Sequence, residues 1–149
     1  MKSVFDREVR NETIKRIRLL TAENKSQWGK MTVTQMLKHC SLCEEYYYGK
    51  IKVDRSLLGR VLGRIALKAI LKNDKVLLRQ NSTSPSQLTV TEDIQDFEAW
   101  KGKWISLIEK YETFENENFI HWFFGNMTKA QLGQFIYKHS DHHLRQFGV

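Results

Sequence analysis

The sequence predicts an all-α protein: a four-helix bundle with a short extra helix in one crossover. Two observations carry this expectation. One proline and eight glycines in 149 residues leave few helix breakers. Between them run long segments whose apolar residues recur at steps of three and four, the period of a helix with one buried face. Four such faces are best buried against one another. A chain of this length removes roughly two-thirds of its unfolded surface from water, so it holds a core without a staple. Residues 1–149 therefore read as one helical domain.

The first helix is expected over residues 4–21, with Val9, Thr13, Ile17 and Leu20 inward. Residues 24–29 (NKSQWG) read as a turn. The second helix starts at Thr32, whose partner three residues on is Gln35, a capping-box pattern. It runs to about Tyr48 and stops at Gly49, with Val33, Met36, Leu37, Cys40 and Tyr47 as its inward candidates. Residues 56–71 (SLLGRVLGRIALKAIL) read as the extra helix, with Leu58, Leu62, Ile65 and Ala69 on one side. Arg60, Arg64, Lys68 and Lys72 form a basic stripe along it, while Gly59 and Gly63 weaken it by up to about 1 kcal/mol each. A polar loop over 79–91 surrounds the proline. The third major helix is expected from Thr91 or Asp93 to about Phe114, with Ile94, Phe97, Trp100 or Lys101, Trp104, Ile105 and Ile108 on the helical period. Residues 115–127 connect onward through His121-Trp122-Phe123-Phe124-Gly125. The last helix starts at Thr128, capped by Gln131, and turns Leu132, Phe135, Ile136, His139 and His143 inward. The gap between the second and third major helices is too long for a hairpin turn, which makes it a crossover.

Composition bounds the function. An apolar content of 41% with 28% charged residues excludes simple disorder. No apolar run is long enough to span a membrane. The first twenty residues carry acids and lack the apolar centre of a signal peptide, and two cysteines make no secreted disulfide scaffold, so a cytoplasmic location is expected. The formal net charge is +7, and residues 49–80 alone, with nine basic and two acidic side chains, account for it. A uniform nucleic-acid coat does not describe that pattern, so nucleic acid is not the expected partner. A local basic patch does describe it, either as a solvated face or as a surface for an anionic partner.

The residues suited to chemistry are the five histidines. His139 and His143 lie about 40° apart on a helix and reach one ion from adjacent turns. His142, about 60° from His139 on the other side, competes with His143 for that role. The line Leu132, Ile136, His139, His143 favours His143. His39 follows Met36 by three residues and can face the same interior. Three neutral imidazoles leave a coordination position open, and zinc-bound water reaches a pKa of about 7. Gln146 continues the line of His139 and could hold a ligand or water by a hydrogen bond. The bland alternative is that these are packed or surface histidines. The spacing H-x-x-x-H also lacks the glutamate of the zincin motif, since Ser140, Asp141 and His142 intervene. Cys40 and Cys43 form Cys-x-x-Cys within the second helix; buried packing is the first reading and a redox dithiol the second. Cys43, one turn from His39, is a further ligand candidate. Glu44 or Glu45 is a candidate base, and His121 a candidate for the pocket rim.

Three segments carry a family resemblance: residues 31–39 (MTVTQMLKH), 121–125 (HWFFG) and 137–148 (YKHSDHHLRQFG). The chain resembles the DinB/YfiT-like superfamily of metal-dependent hydrolases, and within it a small DinB-like branch. The resemblance spans nearly the whole chain, most loosely over 49–90. It implies a four-helix bundle with nonconsecutive helix order. It also implies a divalent-metal site made by one histidine of the second helix and an H-x-x-x-H pair of the last, which here are His39, His139 and His143. Members of the group include thiol-dependent transferases. Trp122 stands where this branch usually has a proline after the histidine.

The expectation is therefore a divalent-metal-dependent enzyme, with zinc or nickel as the ion, that catalyses hydrolysis or thiol transfer to a small electrophile. A small-molecule substrate and a low-molecular-weight thiol are the implied partners. A homodimer through an exposed apolar face is also expected; Tyr46, Tyr47 and Tyr48 offer aromatic surface, which no sequence rule assigns to that dimer. The alternative is a non-enzymatic helical interaction protein with a basic partner-binding surface at Arg60, Arg64 and Lys68.

Overall fold

The computed structural model describes residues 1–115 and 118–149. It holds five helices: α1 (Arg7–Leu19), α2 (Val33–Tyr47), α3 (Leu57–Ile70), α4 (Phe97–Glu109) and α5 (Lys129–Gln146). Before α5 stand two short antiparallel strands, β1 (Asn118–His121) and β2 (Gly125–Thr128). The protein is mostly helical and consistent with a DinB/YfiT-like bundle architecture, but the all-α expectation is corrected by this hairpin. Phe119 pairs with Met127 and Ile120 with Asn126; the first pair is buried and Ile120 is exposed. That two-residue alternation was hidden inside a segment too short and too aromatic to show a period. Gly125, at φ +80°, permits the return from the turn.

The capping boxes form as the sequence predicts. Gln35 N donates to Thr32 Oγ1 and Thr32 N to Gln35 Oε1; Gln131 and Thr128 exchange the same bonds at the start of α5. Two helix starts shift. α1 begins after Asp6, whose carboxylate accepts from Glu8 N and Val9 N, because Val4 N is committed to Gly133 O at 3.1 Å. α4 begins at Phe97 rather than near 91–93. Asp96 sits at φ +60°, and the chain before it is tied to α2 through Gln35 Nε2 donating to Glu92 O and a Lys38–Glu92 ion pair. After Glu109 the chain tightens into a 3-10 turn over Lys110–Thr113.

α2 packs most extensively on α4, and α1 on both α4 and α5. One cluster of buried residues runs through all of them, with Ile17, Met36, Leu37, Trp104, Ile136 and Leu144 wholly enclosed. Tyr46 and Tyr47 belong to this core, and Tyr48 is half-buried and stacks on Tyr111. The exposed aromatic surface expected at these tyrosines is therefore corrected: Tyr46 and Tyr47 fill the interior and Tyr48 is half covered.

Leu58, Leu62, Ile65 and Ala69, the apolar side of α3 read from the sequence, are all exposed. The inward residues are Gly59, Gly63 and Leu67. The two glycines lie against the Phe123 backbone of the hairpin turn, so closely that a Cβ at either would collide with the Phe123 carbonyl oxygen. Bare backbone, not a leucine ridge, seats this helix. Among the described residues, no helix is long and apolar enough to cross a membrane.

Gly63→Ala is expected to destabilise the protein by about 1–3 kcal/mol in urea unfolding, because the collision is with backbone. Gly102→Ala is its control. Nothing lies within 4 Å of that Cβ position in α4. This substitution is expected to stabilise by up to about 1 kcal/mol.

Candidate metal centre

α2 presents His39 and Cys43 one turn apart, and α5 presents His139 and His143 one turn apart. The His39 ring lies 5.4 Å from that of His139 and 4.9 Å from that of His143, centroid to centroid. One donor atom each from His39, Cys43 and His139 lies within 4.8 Å of the others. His139 Nε2 and His143 Nε2 are 3.2 Å apart, and Cys43 Sγ lies 3.7 Å from His39 Nε2. Tetrahedral zinc at ordinary bond lengths separates two nitrogens by roughly 3.3 Å and a sulfur from a nitrogen by roughly 3.6 Å. The donor set therefore fits a divalent cation, and this buried His/Cys/His cluster is capable of coordinating one.

Hydrogen bonds determine which nitrogens are free. The Leu88 carbonyl, 2.6 Å from His39 Nδ1, can only accept, so that nitrogen carries the proton and Nε2 is bare. Trp28 O likewise accepts from Gln146 Nε2 at 2.8 Å, which turns Gln146 Oε1 toward His143 Nδ1 at 2.9 Å. His143 Nδ1 is then the donor, and its Nε2 is bare beside His139. Such outer bonds are the usual means of orienting metal-binding imidazoles. Burial lowers the pKa of His39, against the bond to Leu88. Burial, then the neighbouring imidazoles, pushes His139 well below its ordinary value; burial, then His39, does the same to His143. The rings are neutral at pH 7, the form that binds metal. Burial, with Glu44 adding to it, raises the Cys43 thiol well above its usual range.

A family model described as a protein of unknown function (DUF1569) matches residues 4–148. The chain belongs to the DUF1569 family. The match includes all of α2 and α5, and with them every donor of the cluster. No curated protein matches the chain, and no solved structure does.

The remaining candidates of this DUF1569 chain fall in different places. His142 is buried edge-on to Trp28 and lies 5.1 Å from the His143 ring, with no partner for Nδ1 among the described residues; the nitrogen that faces His139 is that of His143. Gln146 is where the helical line placed it. His121 is not brought into the cluster. Its Nδ1 accepts from Phe123 N and Phe124 N, so it braces the hairpin turn. Burial, and then Arg55, holds its pKa down to about 3. Phe135 stands beside both His121 and His139. Glu44 lies about 140° around α2 from His39 and points elsewhere. Trp104 Nε1 and the Tyr111 hydroxyl donate to its carboxylate, which is wholly buried. Glu45 pairs with Lys103 at 3.0 Å. Cys40 Sγ lies against Met36 Sδ and packs in the core. Sequence reasoning missed the Leu88 and Trp28 carbonyls. Backbone oxygens carry no residue-type signal.

Burial raises the Glu44 pKa from 4.5 to about 7, opposed by the bonds from Tyr111 and Trp104. The unfolded carboxyl ionises first, so this residue costs the fold nothing below pH 4.5 and progressively more as pH rises to about 7. The histidines act with the opposite sign, since their lowered pKa values lend stability that is complete above their unfolded value and lost as pH falls. Glu44→Gln keeps an acceptor for Trp104 and removes only the first effect. Its stability relative to wild type is expected to rise by roughly 3 kcal/mol between pH 4.5 and neutral pH, measured by urea unfolding at each pH.

Proposed function

We propose that this protein is a divalent-metal-dependent enzyme that uses His39, His139 and His143 for hydrolysis or for thiol transfer to a small electrophile. The observation that carries the reading is the pinned pair of imidazoles. His39 and His143 are each held through Nδ1, which leaves Nε2 of both without a proton, that of His143 3.2 Å from His139 Nε2 and that of His39 3.7 Å from Cys43 Sγ. A zinc or nickel ion held there would lower the pKa of a water or thiol at its open position and keep it as a nucleophile at neutral pH.

The chain's own residues support this in three ways. Leu88 O and the Gln146–Trp28 relay keep the imidazoles in one tautomer and orientation. Phe135 and Tyr47, whose rings lie 6.2 and 6.4 Å from that of His139, form apolar walls that exclude bulk water. His139 keeps accessible surface while His39 and His143 are buried, so a small molecule approaches from the His139 side. Cys43 is buried against His39, so in this reading the attacking group comes from solvent. His121 and Glu44 take no proton-transfer role in this reading, because their polar atoms are already committed to the hairpin turn and to Trp104 and Tyr111.

Protein prepared without a polyhistidine tag is expected to bind about one zinc or nickel ion per chain by metal analysis, and His39→Ala, His139→Ala and His143→Ala to lose it. Gln146→Leu is expected to weaken binding about 10- to 100-fold. The loaded protein is then assayed on small esters, amides and electrophiles with and without low-molecular-weight thiols. Turnover that needs the thiol and disappears in the histidine variants assigns transfer; thiol-independent turnover that disappears assigns hydrolysis. Cys43→Ser is expected to retain the ion. Its loss would make the site a closed, four-donor structural centre and overturn the enzyme reading.

A further inference from the structure

The exposed face of α3 has no role in the metal centre. Leu57, Val61 and Ile65 are 80%, 74% and 70% exposed, and Leu58 and Leu62 are 60% and 44% exposed. At about 100° per residue these five share one side of the helix, opposite Gly59, Gly63 and Leu67. Large side chains are thus aligned in water along a 14-residue helix whose glycine side is already docked. Scattered exposed leucines are ordinary, but a contiguous apolar strip of this kind marks a surface that meets something.

The charges say what it meets. Arg60 and Arg64 flank the strip, Lys68 continues its side one turn past Leu62 and Ile65, Lys72 follows just beyond the helix end, and α3 contains no acidic residue. The surrounding segment 49–80 carries all of the chain's net +7. Two copies meeting through this face would bring like charges together, which opposes a symmetric dimer. An anionic surface with an apolar interior satisfies both halves of the pattern. At about 1.5 Å per residue the helix is roughly 20 Å long, too short to span a bilayer but suited to lie in its plane.

We propose that α3 is an interfacial helix by which the protein docks reversibly on an anionic lipid membrane. Leu57, Leu58, Val61, Leu62 and Ile65 enter the boundary between headgroups and acyl chains. Arg60, Lys68 and Lys72 contact lipid phosphates, while Arg64, which donates to Asn126 O at 2.7 Å, braces the helix on the hairpin. The glycine face supports this arrangement. Seated by bare backbone on the Phe123 turn, α3 presents its apolar side outward without unfolding any part of the core.

The test is co-sedimentation of the full chain with vesicles of phosphatidylcholine alone and of phosphatidylcholine mixed with phosphatidylglycerol. Binding is expected only to the anionic vesicles and is expected to weaken with salt. Val61→Glu with Ile65→Glu is expected to abolish it. Arg60→Ala, Lys68→Ala and Lys72→Ala together are expected to weaken it on the order of a hundredfold. All five positions are exposed, so circular dichroism and metal content serve as controls that the fold is intact. No binding to anionic vesicles, equal binding to both kinds, or unchanged binding by the glutamate variant overturns the proposal. So does a dimer in analytical ultracentrifugation that the glutamate variant dissociates, because that result assigns the face to a second copy. Tight binding to single- or double-stranded DNA in place of vesicles overturns it as well.

Discussion

The hydrogen bonds that hold two buried imidazoles, His39 and His143, organise the molecule. His39 and His143 sit among apolar side chains where an unpaired N–H is costly. Each is satisfied through Nδ1, and each chain of bonds ends on a backbone carbonyl from outside its helix. For His39 the partner is a backbone carbonyl of the long crossover; for His143 it is Gln146, itself held by the carbonyl of Trp28 before α2. These bonds fasten two irregular segments to the bundle and at the same time leave two nitrogens bare. The same contacts that close the core thus set the donor geometry. A site built in this way is preorganised before any ligand arrives.

The core tolerates polarity elsewhere on the same terms. Glu44 is enclosed between Trp104 and Tyr111, where α2 packs on α4 and the 3-10 turn that follows it. Its two donors offset part of the cost of burial, which the raised pKa registers. His121 plays a comparable part in the hairpin, where one ring nitrogen satisfies two amides of a tight turn. Both residues have the chemical type of a catalytic group, and both are occupied with holding chain segments in place. Residue type alone does not separate these uses; the identity of the hydrogen-bond partner does.

α3 shows the same lesson in packing. Its periodicity marks an amphipathic helix correctly, but an apolar stripe does not state whether it faces the core or the outside. Two glycines decide the matter by allowing a backbone approach that any side chain would block. The leucine side is left outward beside the cationic flank. Docking through small residues lets backbones come close, and here it leaves a large apolar face outward.

The sequence alone determined much of this protein. Thr32 with Gln35 and Thr128 with Gln131 marked two helix starts to the residue, because capping depends on side chains close in the chain. The inward stripes of α1, α2 and α5 followed from helical period, and so did the shared face of His139 and His143. The tertiary structure decided what local pattern does not encode. It formed the hairpin from a segment without readable alternation, turned the face of α3 outward, and delayed α4 until the chain had been tied to α2. It supplied the carbonyls of Leu88 and Trp28 that select the nitrogens of His39 and of His143. The physical reason is common to all of these. Caps and stripes depend on neighbours within a turn or two, whereas burial, close backbone approach and the choice of hydrogen-bond partner depend on segments far away in the chain.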